Sequence, residues 1–254
     1  MIPKIIHYCW FGRGKKPKLA QKCIASWRKY CPDYEIIEWN EDNYDIASAP
    51  LYVRQAMDIK KWAFATDYIR SDVVYRYGGI YLDTDVELIK SLDGFLNDQA
   101  FFGIERWRDS IHVATGGGFG AEKGTPILSE LIELYKSFTL VHPDGSIDLA
   151  ACPDKEYGIY LSKGFVPEAK EQYIDGYVHL YPPEYFYPLD YGFAMRKTKN
   201  TVAIHWYAMS WESKEKKRWH KRSMIKNKLI YYILGPKSYG KLRAQRSEKR
   251  KGGE

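Results

Sequence analysis

The sequence lacks the features that mark secreted or membrane-spanning chains. No apolar run approaches the roughly 18 residues that a membrane-spanning helix needs. The opening residues, MIPKIIHYCWFG, have no basic segment followed by a long apolar stretch, as a signal peptide has. Only four cysteines occur, and none forms a CxxC pair, which predicts reduced thiols and no zinc site. We therefore expect a cytoplasmic protein without a transmembrane segment.

The net positive charge of the chain comes from its C-terminal end. Residues 212–254 contain 15 basic and 4 acidic residues, a net charge of +11, whereas the whole chain carries +7. The preceding residues are therefore mildly acidic, with a net charge of −4. A mildly acidic body does not favour binding of a polyanion, so we expect no nucleic-acid partner.

Residues 1–211 predict one α/β domain. Lys4–Tyr8 and Tyr34–Trp39 are typical of strands, and a helix is predicted between them from Pro17 to about Tyr30. In an open α/β sheet, ligands bind beyond the carboxyl ends of the strands. At these ends lie His7, Trp10, Trp39 and Asp42.

The segment Asp58–Tyr77 predicts one long helix. Its apolar residues recur at helical spacing, and Asp67 and Arg70 are three apart, so their side chains share one face beside the apolar stripe. Ser71 and Asp72 are expected on the opposite, solvent-facing side. The charged pair is either a salt bridge that anchors the helix or part of a binding site.

Ile80–Leu88 alternates as a strand does and places Asp83 and Asp85 on one face. Two neighbouring carboxylates in a buried site repel each other and are costly to desolvate, unless a cation binds between them. Mn²⁺ or Mg²⁺ prefers such oxygen ligands and neutralises the charge of a diphosphate. The Gly116-Gly117-Gly118 run lacks the Lys-Ser/Thr of a P-loop, and we expect either a backbone segment that approaches a bound substrate or an ordinary loop.

Two blocks of sequence, ATDYIR at 65–70 and YGGIYLDTDV at 77–86, closely resemble glycosyltransferase family 32, the DXD-containing sugar transferases. The opening residues 2–12, the later His205-Trp206 and Ser210-Trp211 are similar to that family's first strand and closing motif. The resemblance implies a GT-A fold, with one Rossmann-like nucleotide-binding sheet sandwiched by helices. Residues 140–195 resemble nothing that we can name.

The resemblance also implies roles for individual residues. Asp83 and Asp85 hold the metal, with His205 as a further ligand; a core histidine is the alternative reading of His205. Asp67, Arg70 and Asp83 are the expected catalytic residues. The nucleotide-sugar donor is expected to contact a wider set, which also takes in the closing motif: His7, Trp10, Asp67, Arg70, Tyr81, Asp83, Ser210 and Trp211.

The expected reaction is metal-dependent transfer of a sugar from a UDP-sugar to a saccharide or lipid-linked saccharide, with retention of anomeric configuration, in surface polysaccharide synthesis. No residue announces itself as a carboxylate nucleophile, so front-face attack is favoured. GDP-mannose is the competing donor. An Asp-x-Asp phosphatase is a remote alternative, because Glu87 stands where that motif usually has Thr or Val, and so is a non-catalytic sugar- or nucleotide-binding protein.

The basic tail, residues 212–254, predicts a short amphipathic helix that ends at Gly235-Pro236, followed by a disordered remainder. Ile225, Leu229, Tyr232 and Ile233 share one helical face, flanked by lysines and arginines. Such a helix can lie on an anionic membrane. The expected location is therefore peripheral, on the inner membrane face; a solvated charge run or a helix packed on the catalytic domain are the alternatives.

Overall fold

The computed structural model describes residues 1–107, 110–190, 193–209 and 214–251. The strands are β1 Ile5–Cys9, β2 Glu35–Trp39, β3 Gly79–Tyr81, β4 Val86–Leu88, β5 Ala100–Trp107, β6 Ser110–Ala121, β7 Gln172–Ile174, β8 Val178–Tyr181, β9 Leu189–Asp190, β10 Ala194–Met195 and β11 Ala203–His205. The helices are α1 Lys18–Tyr30, α2 Leu51–Asp58, α3 Trp62–Tyr77, α4 Pro126–Lys136, α5 Cys152–Ser162 and α6 Lys214–Lys251.

A mixed seven-stranded sheet forms the centre, in the order β2-β1-β3-β6-β5-β8-β7. β1 runs parallel to β2 and β3, so the carboxyl ends of these strands meet at one edge. β6 is antiparallel to both β3 and β5, while β8 is parallel to β5. Two small antiparallel pairs, β4 with β11 and β9 with β10, lie outside the central sheet.

Apolar side chains cover both faces of the central sheet. Helices α2, α3, α4 and α5 contribute to the core on one face. Helix α1 and the β4–β11 pair form the other core, in which Trp27 of α1 is fully buried and donates a hydrogen bond to the Val86 carbonyl oxygen at 2.7 Å. The α/β sandwich expected from the sequence is confirmed.

The helix predicted over 58–77 is interrupted near its start, and its part from Trp62 to Tyr77 is helix α3. α2 ends at Asp58 and α3 begins at Trp62, and Lys60 between them has φ 58°, which no α-helix accommodates. Ser71 was expected to face solvent, but it is fully buried. The reason is that α3 packs against the sheet on one side and against α2 and α4 on others.

The predicted strand over 80–88 is also divided. β3 belongs to the central sheet and β4 pairs with β11, and Asp83-Thr84-Asp85 lies in the turn between them. Two carboxylates at alternate positions fit a strand and this turn equally well, so the alternation could not separate the two. The glycine run at 116–118 lies inside β6, so it is not an ordinary loop, which was one of its two expected readings.

The C-terminal tail is helical well beyond the predicted end. α6 is interrupted at Gly235, which has φ 75°, and then continues to Lys251. The prediction of disorder after Pro236 is therefore wrong for the described residues up to Lys251. Proline is tolerated in the first turn of the helical segment that follows the break. None of the helices in the described ranges is both long and apolar enough to cross a membrane.

Candidate active site

Asp83, Asp85 and His205 converge at the carboxyl end of β3. The pairing of two strands distant in sequence brings His205 to the two aspartates. β11 pairs antiparallel with β4 and sets His205 opposite Val86, next to the Asp83–Asp85 turn. One ligand atom from each of the three residues lies within 4.8 Å of the others. The three side chains that the sequence assigned to a metal therefore form one cluster.

Backbone hydrogen bonds fix the turn that carries the carboxylates. The Val86 N–H donates to the Asp83 carbonyl oxygen at 3.0 Å, and the Asp83 N–H donates to the Gly116 carbonyl oxygen at 3.2 Å. The Ala208 N–H donates to Asp85 Oδ2 at 2.7 Å. The turn is thus held to β6 and to the segment after β11, so the carboxylates are preorganised.

The two carboxylates have opposite electrostatic surroundings. Burial raises the pKa of Asp83, and the Arg70 guanidinium only partly opposes this. Burial also opposes ionisation of Asp85, yet His205 and the Ala208 N–H hold the pKa of Asp85 below its ordinary value. His205 Nε2 lies 3.3 Å from Asp85 Oδ1. Although burial works against the imidazolium, Asp85 and nearby carboxylates raise the pKa of His205 to about 9.

This donor set fits a divalent cation. Two carboxylates and one imidazole are ligands that Mn²⁺ accepts readily, and three protein ligands leave positions for phosphate oxygens. His205 Nδ1 is buried and has no hydrogen-bond partner within the described residues. The Asp83 side chain remains 28% exposed, so a ligand can reach it.

Asp67 and Arg70 on α3 lie directly beside this cluster. Arg70 Nη2 is 2.9 Å from Asp67 Oδ1 and 3.8 Å from Asp83 Oδ1, and both side chains of the pair are almost fully buried. The Arg70 Nε–H donates to the Thr66 carbonyl oxygen at 3.1 Å. Burial raises the pKa of Asp67 to about 7, against the attraction of Arg70. Asp67 and Arg70 therefore form the charged pair that their helical spacing predicts, and this pair borders the Asp83–Asp85–His205 cluster.

Tyr81 and Gly116 shape the wall of the cluster. The Tyr81 hydroxyl donates to Asp83 Oδ1 at 3.1 Å, and its buried ring lies 5.3 Å below the Arg70 guanidinium. A Cβ atom at Gly116 would come within 2.7 Å of Asp83 Oδ2 and 3.2 Å of Arg70 Nη1. The glycine therefore lets β6 approach the carboxylate closely.

A small cleft lies beyond the ends of β1 and β2. Its volume is about 240 Å³, and its lining includes Trp10, Arg13, Lys16, Asn40 and Asp42. Because β1 neighbours β3 in parallel, this cleft and the metal cluster share one edge of the sheet. The Trp10 indole donates to the Gly14 carbonyl oxygen at 2.7 Å, and the Lys16 ammonium lies 5.4 Å from its ring.

The remaining predicted donor contacts fall elsewhere. His7 is fully buried in the sheet; its Nε2 lies 2.8 Å from the Gly78 carbonyl oxygen, and the Trp39 indole donates to its Nδ1 at 3.1 Å. Neither ring nitrogen is free for a donor, and burial lowers the pKa of His7 to about 4. Ser210 and Trp211 lie outside the described residues.

Sequence reasoning missed several buried polar residues around the site. Tyr187 accepts a hydrogen bond from the Gly117 N–H at 2.7 Å, donates to the Ala114 carbonyl oxygen at 3.0 Å and packs edge-on against His205. Glu105 and Glu156 are buried carboxyls. For Glu105 a signal was present, because a charged residue interrupts the apolar strand FFGIE; the other two lie in the segment that the pattern left unassigned.

Known proteins share part of this sequence. Residues 17–102 match the family described as the glycosyltransferase sugar-binding region containing the DXD motif. Inositol phosphoceramide mannosyltransferase 3 of Schizosaccharomyces pombe is 26% identical over 215 residues, covering 76% of this chain and 58% of the relative. An uncharacterized glycosyltransferase of Acanthamoeba polyphaga mimivirus is 26% identical over 155 residues, covering 58% of this chain and 59% of the relative. The chain thus spans less than two thirds of the length of either curated relative.

Two solved glycosyltransferase structures resemble the chain at TM-scores below 0.5. PaToxG glycosyltransferase has a TM-score of 0.47 at 20% identity, covering 63% of this chain and 69% of that one. A glycosyltransferase involved in glycosylation of the major capsid of PBCV-1 has a TM-score of 0.42 at 16% identity, covering 86% and 98%. The family match over residues 17–102 contains the DXD block at residues 65–86, and both curated relatives are named as sugar transferases, so this chain is similar to DXD-containing glycosyltransferases.

Proposed function

We propose that the chain is a metal-dependent, retaining glycosyltransferase that takes its sugar from a UDP-sugar. The observation that carries the proposal is the cluster of Asp83, Asp85 and His205 beside the buried Asp67–Arg70 pair. A cluster of this kind can hold a divalent cation and a diphosphate, and the neighbouring carboxylate can accept hydrogen bonds from sugar hydroxyls. Together they suit a nucleotide-sugar better than a simple phosphate ester.

Each part of the donor has a matching feature along one edge of the sheet. The cation, held by Asp83, Asp85 and His205, would neutralise the charge of the diphosphate leaving group. The Asp67 carboxylate, which Arg70 holds in place, would accept hydrogen bonds from the sugar hydroxyls. Trp10 in the cleft beyond β1 offers an aromatic face to the base or ribose. His7 is left out, because both of its ring nitrogens are already hydrogen-bonded.

Front-face attack fits this arrangement. Asp67 is already bound to Arg70 and its side chain is only 9% exposed, which suits a binder of hydroxyls rather than a nucleophile. The chain's contribution is then positioning and charge stabilisation, while the leaving phosphate accepts the proton of the acceptor hydroxyl.

A mannose donor is the second candidate. The fission yeast relative is named a mannosyltransferase, so GDP-mannose competes with UDP-sugars. The same name gives an inositol phosphoceramide, a lipid, as the acceptor of that relative. A saccharide or lipid-linked saccharide acceptor is accordingly proposed here, and synthesis of a surface polysaccharide is the proposed setting.

The test is a hydrolysis screen. Purified protein is incubated with UDP-glucose, UDP-galactose, UDP-N-acetylglucosamine or GDP-mannose, with Mn²⁺, Mg²⁺ or EDTA, and release of free sugar and nucleoside diphosphate is measured. We expect slow, metal-dependent release with one donor, and its loss in Asp85→Asn. Release of inorganic phosphate instead would indicate a phosphatase, and binding without turnover a non-catalytic protein; either result overturns the proposal.

The tail adds a proposed membrane contact. In α6, Met224, Ile230 and Tyr231 form an inner face that packs with Phe193 and Ala194. The outer face consists of Ile225, Leu229, Tyr232 and Ile233, which are 61–72% exposed, and Arg222, Lys226 and Lys228 lie nearby. An exposed apolar stripe bordered by cations fits an anionic lipid surface, where each basic residue contributes about 1 kcal/mol. The cytoplasmic location on the inner membrane face remains a proposal with it.

Vesicle co-sedimentation tests the tail. The triple variant Ile225→Ser, Leu229→Ser, Ile233→Ser is compared with the control Leu149→Ser, Leu161→Ser, Tyr173→Ser, whose wild-type side chains are also exposed but do not belong to α6. We expect wild type and control to bind phosphatidylglycerol vesicles at low salt, and the outer-face variant to stay in solution. Equal binding by all three proteins, or binding by none, contradicts the membrane contact.

A further inference from the structure

A carboxyl with no role in the proposed donor site is buried behind Arg70. Glu156 on α5 is fully buried, and no cation forms a salt bridge with it within the described ranges. Neutral groups donate to it instead. The Tyr135 hydroxyl and the Cys152 thiol donate to its Oε1 at 3.1 and 3.0 Å, and the Thr115 hydroxyl donates to its Oε2 at 3.5 Å.

Thr115 connects this carboxyl to the arginine. Arg70 Nη1 donates to Thr115 Oγ1 at 3.4 Å, and the same hydroxyl uses its only proton toward Glu156. The two hydrogen bonds run in the same direction: the Arg70 guanidinium donates to the Thr115 hydroxyl, and that hydroxyl donates to the Glu156 carboxyl. Cys152 Sγ lies 3.1 Å from Thr115 Oγ1 and donates its own proton to the same carboxyl.

The guanidinium is therefore anchored on three sides. Its Nε–H binds the Thr66 carbonyl oxygen, Nη2 faces Asp67, and Nη1 reaches Thr115. The first two anchors belong to the same helix turn as Arg70, whereas the third comes from β6 and, through it, from α5. Only the third anchor ties the guanidinium to the strand that also carries Gly116 against Asp83.

A buried carboxyl without a cationic partner is a costly way to fill space. An apolar side chain or an amide would satisfy packing at lower cost, so the carboxyl itself needs an explanation. Its hydrogen-bond acceptors orient the Thr115 hydroxyl so that a lone pair, not the proton, faces Arg70.

We propose that Glu156, acting through the Thr115 hydroxyl, is a positioning residue that fixes the Arg70 guanidinium between Asp67 and Asp83. The proposal rests on the proposed function, in which Arg70 and Asp67 face the donor sugar. Loss of the anchor then impairs the step in which sugar and diphosphate separate, while contacts of the diphosphate with the metal cluster persist.

Three variants isolate the anchor. Thr115→Val keeps the side-chain shape but removes the hydroxyl, Thr115→Ser keeps the hydroxyl but removes a methyl group, and Glu156→Gln keeps the volume. With the donor that wild type hydrolyses, we expect Thr115→Val and Glu156→Gln to lower kcat about tenfold, with KM for the donor and affinity for UDP and Mn²⁺ changed by less than about twofold. Thr115→Ser should keep the kcat of wild type. The double variant Thr115→Val, Glu156→Gln should have a kcat no lower than that of the less active of the two single variants.

A second measurement does not need activity. The side-chain ¹⁵N resonances of Arg70, assigned with Arg70→Lys, report how firmly the guanidinium is held. We expect faster rotation and solvent exchange of its Nη groups in Thr115→Val and Glu156→Gln, and wild-type behaviour in Thr115→Ser. If wild type hydrolyses no nucleotide-sugar, the proposed function fails and the resonances alone decide the anchor. Unchanged resonances, or unchanged kcat with a lower Tm, overturn the inference.

Discussion

At the scale of single residues, the site contains two carboxylates with opposite effects on stability. Asp83 is buried with only partial compensation, so its pKa is raised; Asp85 pairs with His205, so its pKa is lowered. A raised folded-state pKa means that ionisation at neutral pH destabilises the fold, and a lowered one means that it stabilises the fold. The metal-free site therefore holds one carboxylate at a cost that a cation can relieve.

Substitution by asparagine separates these effects. In the metal-free protein at pH 7.5, we expect Asp83→Asn to leave Tm unchanged or raise it, because the amide carries no charge to desolvate. Asp85→Asn should lower Tm, by roughly 2–4 °C for each kcal/mol of lost pairing with His205. Both variants should lose the Mn²⁺-dependent gain in Tm. Thermal unfolding with and without EDTA checks this, and shifts of the same sign in the metal-free variants contradict the assignment.

Asp67 gives a pH dependence of stability. Its pKa of about 7 in the folded protein lies above the ordinary 3.8, because burial outweighs the attraction of Arg70. Between about pH 4 and 7 the folded state then holds a proton that the unfolded state has released, so the contribution of Asp67 to stability is largest below about pH 4 and is lost as pH rises to about 7. Measured by urea unfolding of metal-free protein, the free energy of unfolding of wild type relative to Asp67→Asn should fall by at most about 4 kcal/mol over this range. A constant or rising difference is the contrary result.

At the scale of elements, the sequence predicts what depends on neighbouring residues. β1, α1 and β2 follow from apolar pattern, proline and spacing, and the Asp67–Arg70 pair follows from helical periodicity. The break at Lys60 could not be predicted, since no glycine or proline marks it. The pairing of β11 with β4, which brings His205 to Asp85, joins residues more than 110 positions apart, and no local pattern encodes that register.

The same limit applies to the segment after residue 140. Its helix α5 carries Glu156 and Cys152 into the wall behind Arg70, but its apolar residues show weak periodicity because a buried position holds the charged Glu156 and the exposed face includes Leu161. The glycine run was visible in the sequence, yet its purpose depends on β6 lying against Asp83. The site residues within the block at 65–86 could thus be predicted from the sequence. Glu156, Cys152 and the purpose of the glycine run depend on tertiary packing and could not.

The close approach of β6 leads to a prediction for Gly116→Ala. The new Cβ would lie within 2.7 Å of Asp83 Oδ2, so the carboxylate or the strand must shift. We expect affinity for Mn²⁺ with UDP to fall by about tenfold or more, since ligand geometry tolerates little displacement. The matched control is Gly158→Ala in α5, where nothing lies within 4 Å, and where alanine should stabilise the helix by up to about 1 kcal/mol. Equal affinities in both variants, measured by titration calorimetry, contradict the tight contact.

At the scale of the whole molecule, the net positive charge and the candidate ligand site belong to different parts of the chain. The body, with its mild negative charge, places carboxylates at the edge of the central sheet, while the tail, residues 212–254, carries the net positive charge. In the proposed function, repulsion between these carboxylates and the donor diphosphate would oppose donor binding until a cation is present. Binding of metal and of donor should therefore be linked, because each supplies charge that the other needs.

This linkage predicts cooperative stabilisation by Mn²⁺ and UDP. A ligand that binds only the folded state raises stability by RT ln(1 + [L]/Kd), so independent ligands give additive increments. Here the cluster of Asp83, Asp85 and His205 leaves coordination positions for phosphate oxygens, and the diphosphate is repelled without the cation. We expect the Tm gain with both ligands to exceed the sum of the separate gains, with a coupling of about 1–3 kcal/mol that is the same from either side. His205→Ala should weaken this coupling, while the remote Leu149→Ser should leave it intact. Strictly additive gains in wild type, measured by differential scanning calorimetry, would show that metal and nucleotide bind at separate sites.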